Sequence, residues 1–431
     1  MEQQLFRPVA WAFHTNIYEV NLRQYTRQGT FKAFQQHLPR LHDMGVEVLW
    51  FMPITPISIK NRKGTLGSYY ACRSYVQTNP EFGTLADFQE LVNAAHQLGM
   101  KVLIDWVANH TGWDHEWTES NPDFYTRNPD GSFRPPVENW EDVIHLNYAN
   151  PALRKAMINA MQFWVTECGI DGFRCDMAML VPLDFWIEAR QQLDRLHPLF
   201  WLGEFDQWGG DASYAVAFDA SYSWHWMHIT EEFYKSKGMR RIPLLDRVLA
   251  AYHQKAPFGH MRSFFTTNHD ENSWNGTEYE KYGNMAIPLA VFSCLWNGVP
   301  LLYSGQELPN EKRLAFFDKD VIEWGKKEPR LHNFFKRLLH LRKTHPALRS
   351  ADRTVLSWRI ATNYNDRVFS FIRQNGGREV VVALNLSDQP LQLQFTDNRF
   401  SGYFTDLFSG VSFSLSDTIE LPAWGYLVGS K

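Results

Sequence analysis

The sequence predicts an α/β fold: a (β/α)8 TIM barrel with a small inserted subdomain after its third strand and a C-terminal antiparallel β-sandwich domain. Three observations predict it. Apolar runs ending in polar residues recur eight times over the first three quarters of the 431-residue chain, helical patterns separate them, and the final stretch changes to short alternating strands. A strand that reads as a continuous apolar run is buried on both faces, as in a parallel sheet covered by helices, and eight strand–helix repeats close into a barrel.

In order, the runs are WAFHTNIYEVN (11–21), VEVLWFMP (46–53), KVLIDWVANH (101–110), DGFRCD (171–176), FWLGE (200–204), YAVAFD (214–219), RSFFTTNHD (262–270) and GVPLLYSGQE (298–307). Between them, TLADFQELVNAAHQLGM (84–100) sets Leu85, Phe88, Leu91, Val92 and Ala95 on one helical face and stops at Gly99. Residues 111–149, after the third strand, are too long for an ordinary βα loop. Their Asn-Pro, Asn-Pro-Asp-Gly and Pro-Pro turns, interleaved with Trp and Tyr, predict a subdomain over the barrel mouth. The last barrel helix is RLHNFFKRLLHLRKTHPAL (330–348), closed by Pro346. Beyond it TVLSWRI, RVFSFIRQ, EVVVALNLS, LQLQF and WGYLVG alternate as sandwich strands do. Residues 1–350 are therefore expected to form the catalytic barrel, including 111–149, and residues 351–431 the β-domain.

Composition excludes several functions. Lys and Arg total 43 against 47 Asp and Glu, a net charge of −4, and no long basic run offers a footprint for nucleic acid. No apolar run reaches membrane-spanning length, and MEQQLFRPVAWAF lacks the basic region and apolar core of a leader, so no membrane partner and a cytoplasmic location are expected. Cys72, Cys168, Cys175 and Cys294 show no CxxC pair and read as free thiols. Oligomeric state has no signal in the sequence. Aromatic content is high, 15% with 17 Trp, and flat rings with a polar edge suit the C–H faces of sugars. Trp113, Trp117, Phe124, Tyr125, Trp140, Trp208 and Trp274 are the candidate platforms.

The chemistry is carried by four stretches that place carboxylates just after apolar runs: DWVANH (105–110), GFRCDMAML (172–180), WLGEFD (201–206) and FTTNHDEN (265–272). Acids at the C-terminal ends of barrel strands converge on the mouth. Cleavage of a glycosidic bond needs one carboxyl group to protonate the leaving oxygen and another to attack or stabilise the anomeric carbon, about 5 Å apart in a retaining enzyme. Asp176 and Glu204 end consecutive predicted strands, which lie about 4.8 Å apart. Arg174 shares a strand face with Asp176, and its charge favours the ionised nucleophile. Glu204, without a basic neighbour in sequence, is assigned the acid/base role. Asp270 would bind sugar hydroxyls and raise the pKa of Glu204 by like-charge repulsion, with His110 and His269 as hydroxyl donors. The competing reading, strand-end carboxylates in structural ion pairs, is disfavoured once the other motifs are counted.

These four stretches resemble the four signature regions of the α-amylase family, glycoside hydrolase family 13, in that family's order. The resemblance implies that Asp176 forms the covalent glycosyl-enzyme, Glu204 is the acid/base and Asp270 stabilises the distorted sugar. It assigns Arg174, His110 and His269 to the cleavage subsite, Asp105 to the buried aspartate of the first region, and Tyr70 of SYYACRSYVQTNPEFGT to the tyrosine that stacks on the sugar. VPLLYSGQE resembles the family's eighth strand. The implied activity is hydrolysis, with retention, of α-1,4-linked glucans or maltooligosaccharides. Transglycosylation or conversion of sucrose or trehalose would use the same residues, and a non-catalytic glycan-binding barrel is disfavoured because all three acids are present.

Departures from the family pattern bear on metal and specificity. Met179 and Leu180 stand where many members carry Lys-His, whose histidine carbonyl helps bind calcium, and NLRQYTRQGTF after the first strand contains no acid. Asn109 matches a calcium-ligand asparagine and is the sequence's one candidate for that ion; no cofactor is expected to be required. Met177 follows the nucleophile where α-1,4 and α-1,6 specialists differ and resembles neither, and Ser74 replaces a usual aspartate.

Overall fold

The computed structural model describes residues 6–206, 211–236, 241–255, 259–325 and 328–431. Its barrel is built from β1 (Ile17–Val20), β2 (Val48–Phe51) and β3 (Lys101–Trp106); after the hairpin pair β4 (His110–Gly112) and β5 (Val143–His145) it continues with β6 (Gly172–Cys175), β7 (Phe200–Gly203), β8 (Ala220–Tyr222), β9 (Met261–Phe264) and β10 (Val299–Tyr303). Eight of these close in the order β1-β10-β9-β8-β7-β6-β3-β2, every barrel pair parallel, with Ile17 opposite both Val48 and Leu301 where the ring closes. Every residue of β1, β2, β6 and β7 is buried, as expected of strands with side chains both inside the barrel and under helices.

The helices follow their local signals. Leu85–Gln97 opens with a reciprocal Thr84–Asp87 capping box and buries Phe88, Leu91, Val92 and Ala95. Gly99, at φ +76°, lies just past it and turns the chain into β3. Pro151–Cys168 starts on an Asn150 cap with proline in its first turn. The final barrel helix is His332–Thr344, shorter than the pattern predicts, with Pro346 opening a separate 3-10 turn.

Two apolar runs depart from a plain strand. Residues Ala10–His14 form a 3-10 turn before β1. YAVAFD is not the sixth strand: Asp211–Val216 is a 3-10 helix, and the strand is Ala220–Tyr222. Asp219 fixes the difference. Its carboxylate accepts the Trp201 N–H at 2.8 Å and the buried Arg190 guanidinium at 3.0 Å, so pairing with β7 begins one residue later. Ala215, Ala217 and Phe218 are fully or almost fully buried in the turn, and burial was the only signal the pattern carried.

After the barrel come β11 (Leu356–Arg359), β12 (Val368–Asn375), β13 (Arg378–Asn385), β14 (Leu391–Leu393), β15 (Tyr403–Asp406), β16 (Ser412–Ser414), β17 (Ile419–Leu421) and β18 (Tyr426–Ser430). Six make an antiparallel sheet, order β11-β12-β13-β18-β15-β16, and β14 pairs with β17 as a separate ribbon. Val381 and Ala383 of the sheet share a core with Leu391, Leu393 and Leu421 of the ribbon. The opposite face joins the barrel core: Phe371 meets Trp296 edge-on at 4.9 Å, and buried Arg373 donates to the carbonyls of Trp296, Leu348 and Arg349. All four cysteines are buried free thiols, and no helix among the described residues is long and apolar enough to cross a membrane.

Candidate active site

One guanidinium organises the barrel mouth. Arg174, in the middle of β6, is fully buried; its Nη1 lies 2.9 Å from both Asp105 Oδ1 and Asp176 Oδ1, and its Nη2 lies 2.9 Å from Glu204 Oε2. The strand parity that puts Arg174 and Asp176 on one face, and the register that pairs Cys175 with Gly203, bring the acids following β6 and β7 together. Nε donates to the Tyr222 hydroxyl, and the Trp50 ring covers the guanidinium at 4.9 Å. A cation this enclosed persists only because three carboxyl groups surround it.

The expected contrast between Asp176 and Glu204 has a different origin from the one read in sequence. Arg174 touches both. Burial pushes both carboxyls above their ordinary values and Arg174 pulls both down; a like charge raises each as well, Asp270 acting on Asp176 and Asp176 on Glu204. A negative charge on Asp176 beside the guanidinium favours a proton on Glu204.

Met177 supplies the second constraint. It adopts a left-handed conformation, φ +40° and ψ 46°, unusual for a residue with a side chain, and its N–H donates to Glu204 Oε2 at 2.8 Å. The residue after the proposed nucleophile thus orients the proposed acid/base through its backbone. Its half-buried side chain lines the cavity.

A second network closes the opposite side. Tyr70 donates to Asp105 Oδ2 at 3.1 Å and accepts from His269 Nε2 at 2.7 Å, with the two rings stacked at 5.5 Å. His269 Nδ1 donates to Glu19 Oε1, and its Nε2 lies 3.3 Å from Asp270 Oδ2. Burial opposes charge on His269, but Asp270 and Glu19 outweigh it and hold the imidazole up at about 9, as a cation. Asp270 is the most open of the three strand-end acids, its side chain 36% exposed against 8% for Asp176 and 7% for Glu204. His110 opens β4, and burial depresses its pKa to about 4, so it is a neutral hydrogen-bonding group.

The cavity above these groups, 390 Å³ in volume, is lined by Tyr70, His110, Asp176, Glu204 and Asp270 together with Trp140, Trp274, Phe316 and Phe317. All eight residues singled out in sequence therefore meet in one place; Asp105, Arg174 and His269 lie directly beneath it, bonded to its lining. The aromatic candidates divide. Trp140 and Trp274 face the cavity. Trp117 packs on Phe124 at 5.3 Å, Tyr125 is buried and Trp113 donates to the Glu141 carbonyl, so these hold the insertion together. Trp208 lies outside the described residues. Cys175, on the other parity of β6, is fully buried with its thiol pushed well up by burial, which suits packing.

Four contributors escaped the sequence reading. Glu19 stands in the buried strand β1, and a carboxylate inside an apolar run was a legible signal of an inward-facing partner. Tyr222 was hidden by the misplaced sixth strand. Phe316 and Phe317 sit in the segment after β10, with no motif around them.

A calcium ion at Asn109 meets a mixed fit. Its Oδ1 is buried without a hydrogen-bond partner, as a cation ligand would be. Calcium takes six to eight oxygens, with carboxylates prominent among them. Among the described residues the single cluster of three or more His, Cys, Asp or Glu with ligand atoms close together is Asp43, Glu328 and His332, away from Asn109. Among the described residues no cluster of three acidic or imidazole donors joins this amide oxygen.

Residues 14–143 and 138–313 match the family model described as alpha amylase, catalytic domain, and residues 359–428 match that of the maltogenic amylase C-terminal domain. Alpha-amylase MalA of Haloarcula japonica is 28% identical over 424 residues, covering 93% of this chain; the chain spans 59% of that protein's length. The noncanonic maltogenic alpha-amylase AmyB of Thermotoga neapolitana superposes with a TM-score of 0.88 at 28% identity, covering 97% of this chain and 99% of that one. An alpha-amylase from Lactobacillus plantarum gives 0.87 at 27% identity, covering 98% and 99%.

Proposed function

Because the chain belongs to the α-amylase family, we propose that it hydrolyses α-1,4-linked glucans or maltooligosaccharides with retention of configuration, through a covalent glycosyl-enzyme on Asp176. The observation that carries this reading is Arg174, whose guanidinium holds Asp176 and Glu204 against neighbouring nitrogens at 2.9 Å each. Two carboxyl groups on adjacent strands, sharing one cation and one cavity, have the arrangement of a retaining pair.

In the first step an Asp176 oxygen attacks the anomeric carbon as the glycosidic C–O bond breaks, and Glu204 gives its proton to the leaving oxygen. Asp176 loses its negative charge to the new ester while Glu204 gains one, so the charge facing Arg174 is unchanged across the step. In the second, Glu204 takes a proton from water, whose oxygen attacks the same carbon and releases Asp176. Asp270 faces the sugar's hydroxyls, oriented from beneath by the His269 cation, and Tyr70 offers the sugar a ring face.

The test is hydrolysis of maltotriose followed by proton NMR, with the α-anomer appearing first. Asp176→Ala should abolish turnover. First appearance of the β-anomer, or wild-type turnover by that variant, refutes the proposal. Products longer than maltotriose at high substrate concentration would assign the second step to sugar transfer.

A further inference from the structure

We infer that the cavity is walled off on the side of the sugar that keeps its non-reducing end, so that the enzyme attacks maltooligosaccharides from that end and releases one short product. This rests on the roles of Asp176 and Glu204 proposed above.

Direction follows from topology. Glu204 protonates the leaving oxygen, so the departing sugar lies on the β7 side of the mouth. In the closed ring, β1 stands opposite β7, flanked by β2 and β10. The segments after β2 and β10 therefore lie on the side of the retained sugar.

These two segments are joined to each other. Thr65 donates through both its N–H, at 2.8 Å, and its hydroxyl, at 2.5 Å, to Asp318 Oδ1, and the Leu66 N–H donates to the Phe317 carbonyl at 3.0 Å. Gly64, at φ +65°, packs so closely that a Cβ would collide with Phe317. On its other flank the same segment is tied to the insertion: Lys63 Nζ lies 3.1 Å from Asp142 Oδ1 and 3.2 Å from the Asn139 carbonyl, and Asp114 accepts the Ile59 N–H at 3.1 Å. Insertion, β2 segment and β10 segment thus form one continuous wall.

Inside the wall the surface is aromatic. Phe316 stacks on Tyr70 at 6.2 Å and touches Trp274 at 5.2 Å. A groove for internal attack must let the chain leave at both ends; here rings and a bonded wall stand where it would continue beyond the retained sugars. A terminus fits and a passing chain does not.

The experiment compares p-nitrophenyl maltoheptaoside with the same compound capped by a bulky acetal at its non-reducing end, alongside a time course on maltoheptaose labelled at its reducing end. The capped compound should show about 100-fold lower kcat/KM, and the unlabelled product should have one length from the first minutes. A ratio below about tenfold, or several unlabelled lengths at once, overturns the inference. Lys63→Ala with Asp318→Ala, which removes the Lys63–Asp142 tie on one flank and the Thr65–Asp318 tie on the other, should raise kcat/KM on the capped compound about tenfold relative to the free one. No gain overturns the wall as the cause. Failure to cleave either heptaoside would instead refute the hydrolase reading itself.

Discussion

Glu204→Gln separates chemistry from architecture. Glu204 Oε2 accepts from Arg174 Nη2 at 2.9 Å and from the Met177 N–H at 2.8 Å. A glutamine amide oxygen can take both bonds with its NH2 turned to the cavity, and Arg174 keeps Asp105 and Asp176 at 2.9 Å. The fold should therefore persist, with a Tm close to wild type. The amide has no proton to give. General acid–base catalysis contributes about 10²–10⁴-fold, or about 3–5 kcal/mol, and maltotriose turnover should fall by that factor. An aryl maltoside with an acidic phenol needs no protonation, so its first step should survive and the maltosyl-enzyme on Asp176 should accumulate, visible as a mass increase of the intact protein. Azide needs no general base and should discharge this intermediate as α-maltosyl azide. Equal losses on both substrates without azide acceleration, or a β-azide product, would refute the assignment of Glu204.

Four further outcomes are expected. Trp274→Ala removes a half-exposed ring from the cavity, and loss of about 1 kcal/mol of stacking should raise KM about fivefold with kcat held; an unchanged KM counts against a sugar contact. His115 is buried and depressed to about 3 by burial, so its stabilising contribution is complete above about pH 6.5 and declines as pH falls toward the folded pKa, by up to about 1.4 kcal/mol per pH unit. The Tm difference between wild type and His115→Gln should accordingly shift in the variant's favour from pH 6.5 to 4, and a constant difference refutes this. EDTA should leave the Tm unchanged, as no cluster of three acidic or imidazole donors among the described residues includes a partner for Asn109; a fall of several degrees reversed by calcium refutes this. Arg174→Met, leaving three buried carboxylates without their cation, should cost about 3–5 kcal/mol in urea unfolding, and a loss under about 1 kcal/mol would mean these acids are protonated in the native state.

What could be read in the sequence was local. Asp105, Asp176, Glu204 and Asp270 each follow an apolar run within a few residues, so strand parity and barrel geometry place them without knowledge of distant contacts. The closed barrel and the C-terminal antiparallel sheet followed from the same periodicities. What escaped depends on pairs far apart in the chain. Glu19 acts through His269, and the β2 segment acts through Phe317 and Asp318, some 250 positions away. Arg174 stands two residues before Asp176 in sequence, yet its contact with Glu204 exists only once β6 and β7 pair. The sixth strand was misplaced because a buried 3-10 turn and a buried strand present the same apolar letters.

Met177 divides its duties between two parts of one residue. Its main chain, held in the left-handed region, presents the N–H to Glu204, and a main-chain donor survives any substitution that tolerates that conformation. Its side chain projects into the sugar cavity and makes no part of that bond. Position 177 is thus a place where the cavity wall can change while the backbone N–H stays aimed at Glu204, glycine or asparagine fitting the left-handed conformation at low conformational cost. Reactivity and selectivity are adjacent here, and separately adjustable.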